Sequence, residues 1–74
     1  MTRLPQVYGR QLVKVLELVG YVVIRQRGSH IRLKHPTRRP VTVPDHKRIG
    51  VGLLVKILRD AEMTADKLRT LLLG

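Results

Sequence analysis

Seventy-four residues, 43% of them hydrophobic and none a cysteine, suit one small domain spanning 1–74 and exclude a disulfide framework or a thiolate metal site. No apolar run approaches the roughly 18 residues of a membrane span, and no apolar stretch of a secretory leader follows the charged start Met1-Thr2-Arg3-Leu4-Pro5, so a cytoplasmic protein is expected. Fifteen Lys and Arg against five Asp and Glu give +10, a self-repulsion that points to a polyanionic partner: nucleic acid first, an acidic protein second, a membrane surface last.

In chain order, Leu12, Val15, Leu16 and Val19 fall at i, i+3, i+4 and i+7, one apolar stripe of a helix over about 9–19. Gly20 follows as a C-terminal glycine should. Tyr21–Arg27 is rich in β-branched residues and reads as a strand. Gly28-Ser29 is a two-residue hairpin signal, the glycine supplying the positive φ of a type II′ turn. A second strand runs over about 30–35. Pro36-Thr37-Arg38-Arg39-Pro40 is a turn, and Val41-Thr42-Val43 is a short third strand ended by Pro44. After the polar loop at Asp45-His46-Lys47-Arg48, the helical period returns at Leu54, Ile57, Leu58 and Ala61, predicting a helix over about 52–61. Thr64 is a candidate N-cap for a final short helix carrying Leu68, Leu71 and Leu72. The expected fold is an α+β two-layer α-β-β-β-α sandwich, a three-stranded antiparallel sheet with helices on one face and a short C-terminal helix.

The hairpin organises the rest. Its turn sets Arg27 opposite His30 and Arg25 opposite Arg32, so alternation puts Arg25, Arg27, His30, Arg32 and Lys34 on one face. Val22, Ile24, Ile31 and Leu33 are expected on the other, as core. The charge is concentrated here: residues 1–44 hold nine basic side chains and one acid, Glu17, and Arg25 to Arg39 include six cations and no acid. An exposed face normally mixes signs. Arg25, Arg32, Lys34, Arg38 and Arg39 are therefore candidate phosphate binders, whereas Arg10 and Lys14 read as the wet face of the first helix.

A ribonuclease that needs no metal requires a base for the 2′-hydroxyl, a positive group for the charged phosphorane, and an acid for the leaving 5′-oxygen. Histidine suits proton transfer because its ordinary pKa of about 6.5 lies near working pH. Cations placed where charge develops suit the second role. His30 among Arg27, Arg32 and Lys34 offers both, although a surface histidine on a solvated strand has the same appearance. His35 has the opposite strand parity to His30, and neither an H-x-x-x-H nor an H-E-x-x-H spacing occurs, so no metal site is expected. His46 reads either as a second proton-transfer group or as a loop residue holding backbone near the start of the second helix, with Lys47 and Arg48 extending the basic patch. Only Tyr8 and Tyr21 are aromatic, too few for a base-stacking platform. The Leu71-Leu72-Leu73 end is partly surplus to so small a core.

The element order on a basic chain is similar to the double-stranded RNA-binding domain. Gly20-Tyr21, Arg25-Gln26-Arg27-Gly28-Ser29-His30, Val43-Pro44-Asp45-His46 and Leu54…Ile57-Leu58-Arg59-Asp60-Ala61 together resemble the HicA (YcfA-like) family, small mRNA-cleaving toxins of toxin–antitoxin pairs. The resemblance covers about residues 5–72, and its most specific piece is Gly28-Ser29-His30. It implies His30 as the catalytic histidine; beside it, the charge pattern makes Arg25, Arg27, Ser29, Arg32, Lys34, Arg38 and Arg39 candidate RNA contacts and His46 and Lys47 candidate auxiliaries. It further implies mRNA as substrate and a HicB-type antitoxin masking the His30 face, while the residues themselves lead to no expected cofactor. Tyr8 departs from the Ser or Thr cap expected before the first helix.

Overall fold

The computed structural model describes residues 4–74; the leader expectation at Met1-Thr2-Arg3 lies outside them. The order is α1 (Gly9–Leu18), β1 (Val22–Arg27), β2 (His30–Lys34), β3 (Val41–Pro44), α2 (Val51–Asp60) and α3 (Ala65–Leu73). The strands form one antiparallel sheet in the order β1-β2-β3, so the fold is α+β as expected. One cluster of buried apolar side chains joins the layers: Leu12, Val15 and Leu16 of α1, Ile31 and Leu33 of β2, Val41 and Val43 of β3, and Leu54, Ile57 and Leu58 of α2. Leu68 of α3 is fully buried against it, and Leu71 and Leu72 pack at its edge while Leu73 stays exposed.

The helix ends follow from local chemistry. Gly20, at φ +105, closes α1 with its N–H on Glu17 O at 3.1 Å and the Tyr21 N–H on Leu16 O at 3.0 Å, a Schellman pair. Thr64 caps α3 by accepting from the Lys67 N–H at 3.0 Å. Tyr8 at the front of α1 offers no hydroxyl cap, but Gln11 Oε1 accepts its N–H at 2.9 Å, the returning half of a capping box. Gly9 has a tighter reason to be glycine than marking a helix start. A Cβ there would sit 1.8 Å from Pro44 O, so only glycine lets α1 approach the end of β3.

One expectation about the sheet is corrected. Val22 and Ile24 are not core; they are 60% and 54% exposed. The register runs Arg27↔His30, Gln26↔Ile31 and Arg25↔Arg32, then Val23↔Leu33 and Val22↔Lys34, leaving Ile24 as the extra residue of a β-bulge. Beyond the bulge the parity reverses. Val23 replaces Val22 on the helix side, while Val22 joins Lys34 on the open face. Val22-Val23-Ile24 has no alternation, so its pattern could not reveal the slip.

Candidate nucleic-acid interface

The turn places the open-face residues as its geometry dictates. Gly28 has φ +54 and Ser29 does not have positive φ, the sign pattern of type II′. Arg25 then faces Arg32 and Arg27 faces His30 across the ladder, and His30 pairs with Pro44 and Arg32 with Thr42 on the other side. Arg25, Arg27, His30, Arg32 and Thr42 line an open cup of about 360 Å³. Arg32 Nη1 donates to Thr42 Oγ1 at 2.9 Å, which aims its guanidinium along the cup wall. Among the described residues no carboxylate pairs with Arg25, Arg27, Arg32 or Lys34. Two arginines held face to face without a counter-anion repel each other, and an anion between them removes that cost.

The remaining candidates are spread around this cup. Lys34 lies beyond it, along a groove shared with Val22, Ile24, His35 and Pro36. Arg38 turns to the far end of the molecule, where Nη1 donates to Ala61 O at 3.0 Å and helps close α2. The Arg39 backbone carbonyl accepts the Tyr21 hydroxyl at 2.8 Å, leaving the arginine itself exposed. Tyr21 is buried, which pushes its phenol pKa up despite the opposing charge of Arg38. Ser29 belongs to the turn itself. Lys47 is exposed, and its carbonyl accepts the Gly9 N–H at 2.8 Å.

The three histidines occupy separate environments. His30 is exposed in the cup. The His35 Nδ1 accepts the Thr37 N–H at 3.1 Å, so Nε2 carries the proton and donates to Val19 O at 3.0 Å. That ring is a strut between β2 and the end of α1. His46 leaves β3 with left-handed backbone, φ 61, and its Nε2 lies 3.1 Å from Asp45 Oδ2 and 3.1 Å from Arg10 Nη2. It does not line the cup with His30. Among the described residues no three His, Cys, Asp or Glu side chains are grouped to hold a metal.

The cup has an acidic anchor behind it that the sequence did not announce. Asp45, 5% exposed, accepts Arg10 Nε at 2.9 Å on Oδ1 and Gln26 Nε2 at 3.2 Å on Oδ2. Burial acts to raise its pKa, but the bond and charge of Arg10, the charge of His46 and the Gln26 bond outweigh it and hold the carboxyl below its ordinary value. Asp45 is the sole acid between Glu17 and Asp60, the one sequence signal that could have drawn attention to it.

Among the described residues no helix is long and apolar enough to cross a membrane. No curated protein matches the chain significantly. A family model described as the HicA toxin of bacterial toxin–antitoxin systems matches residues 9–63, from the first turn of α1 through all three strands and past α2. That span covers more than half of the chain and contains the Gly28-Ser29-His30 hairpin, the cup and Asp45, and the chain belongs to the HicA toxin family.

Proposed function

We propose that this toxin is a metal-independent endoribonuclease acting on mRNA, with His30 in proton transfer and the cup cations binding the phosphodiester. The observation that carries this reading is a lone exposed histidine inside a cup whose other charged residues are all arginines. A phosphate seated between Arg25 and Arg32 would relieve their repulsion and lie beside the imidazole. The 2′-hydroxyl then attacks the adjacent phosphorus while His30 takes its proton, and the arginines stabilise the charge that builds on the phosphorane oxygens. The imidazolium so formed, or solvent water, protonates the departing 5′-oxygen. Loss of the 5′-oxygen leaves a 2′,3′-cyclic phosphate on one fragment and a 5′-hydroxyl on the other. Lys34 and Arg39 extend the phosphate track, with Lys47 at its margin. Arg38 contributes less, because the end of α2 already engages its guanidinium. The antitoxin partner is of the HicB type, its acidic surface covering the His30 face.

Induced expression of wild type and His30→Ala tests the assignment. Wild type should arrest growth and degrade mRNA, and His30→Ala should accumulate as a folded protein without doing either. Equal toxicity of the two proteins would remove His30 from the chemistry. Inactivity of both, with RNA binding retained, would make the domain a non-catalytic RNA-binding module.

A further inference from the structure

The hairpin that presents His30 has little to hold it by packing. Every residue of β1 is exposed, and exposure continues through Gly28, Ser29 and His30. A two-residue turn at the end of an edge hairpin frays unless something ties it down. Here the tie comes from behind the cup. Pro44, opposite His30, has no N–H, and the last ladder bond from β3 to the hairpin is donated by the next residue, from the Asp45 N–H to Ser29 O at 2.5 Å. The same residue's carboxylate accepts Gln26 Nε2, and that amide nitrogen also donates to Gly28 O at 3.2 Å. Gln26 has two amide protons, and these two bonds use both. Asp45 thus grips both residues of the turn, Ser29 directly and Gly28 through Gln26.

The grip is itself anchored to the helix layer. Arg10 of α1 holds Asp45 through Nε at 2.9 Å and Nη2 at 3.4 Å, and Gly9 lets α1 approach Pro44 and Asp45 closely enough for this. Immediately after Asp45 the chain turns through the left-handed conformation of His46, uncommon for a residue with a side chain and found where surrounding structure imposes it.

We propose that Asp45 is a positioning residue for His30: with Gln26 as its extension and Arg10 as its anchor, it fixes the Gly28-Ser29 turn relative to α1 and so sets where the imidazole stands over the cup. This rests on the endoribonuclease reading of His30. Asp45 lies outside the set of groups that meet RNA; its effect passes through the turn. A misplacement of the order of 1 Å at a reacting group lowers a rate about 100-fold. The cup arginines lie on the strands, so RNA binding should be far less sensitive than turnover.

The test compares wild type, Asp45→Asn, Gln26→Leu and His30→Ala on one short RNA, measuring kcat and KM separately, with amide hydrogen exchange of the free proteins by NMR. Gln26 is exposed, so Gln26→Leu keeps a folded comparison available if Asp45→Asn fails to fold. The expected result is kcat lowered about 10- to 100-fold in both variants with KM changed less than about 3-fold. The Ser29 and His30 amides should exchange faster while those of β3 and α2 stay protected. Unchanged kcat and unchanged exchange at the turn in Gln26→Leu would overturn the proposal. So would a fall in melting temperature of Asp45→Asn with kcat intact below the transition, which is the mark of a purely structural ion pair. If wild type cuts no RNA, or cuts it as His30→Ala does, the endoribonuclease reading fails. The exchange data then decide separately whether Asp45 holds the turn.

Discussion

At the scale of single residues, His30 and Asp45 differ in how visible they were. The placement of His30 was legible because it depends only on neighbours: Gly28-Ser29 fixes the turn, and the turn fixes Arg27 opposite His30 and Arg25 opposite Arg32. Asp45 was not, because its partners Arg10 and Gln26 lie 35 and 19 residues away in sequence and no local pattern joins them. Its carboxylate has a pH signature. The folded-state pKa is lowered, so its stabilising contribution is complete above the unfolded carboxylate value, about 3.9, and is lost as pH falls through the lower folded value. The groups facing it are Arg10 from α1, Gln26 from β1 and His46 beside it, and none of them supplies a competing negative charge. Melting temperature followed from about pH 6 downward should therefore fall more steeply below about pH 4 in wild type than in Asp45→Asn. Parallel curves would show that the Asp45 pairing does not contribute.

At the scale of elements, the helices and the second and third strands were legible because each has one clean period. The α1 stripe, the β2 alternation of His30, Arg32 and Lys34 with Ile31 and Leu33, and the α2 stripe all survive in the burial pattern. β1 begins one residue later than expected, at Val22, and its first half lost its expected faces. Three β-branched residues in a row carry no period, and the bulge at Ile24 reversed the parity beyond it. The corrected faces make opposite forecasts for two similar residues. Ile24→Thr, on the open face, should change stability by no more than about 0.5 kcal/mol. Leu33→Ala, in the fully buried heart of the sheet, should cost about 2–5 kcal/mol. Urea unfolding of both variants checks the pair, and a large loss at Ile24 would return that residue to the core. Gly9 shows the same limit of sequence reading: its position at the start of α1 was visible, whereas its close approach to Pro44 O required the fold.

At the scale of the whole molecule, the +10 charge is held on a small sheet-and-helix sandwich, with three arginines, none paired with a carboxylate among the described residues, gathered at one cup. An anion that binds only the folded state adds stability by mass action, and salt weakens such binding steeply. Added RNA should accordingly raise the melting temperature at low ionic strength, and the increment should shrink as salt is raised. A salt-independent increment would mean that the contact is not with the phosphates. The proposed chemistry, attack by the 2′-hydroxyl assisted by His30 and the cup arginines, needs no metal. The most direct measurement is the end-group analysis of RNA cut by purified wild type in the presence of excess EDTA, beside His30→Ala. Fragments bearing 2′,3′-cyclic phosphate and 5′-hydroxyl ends, absent with His30→Ala, are the expected result. Fragments with 5′-phosphate ends, cleavage abolished by EDTA, or cleavage undiminished in His30→Ala would contradict it.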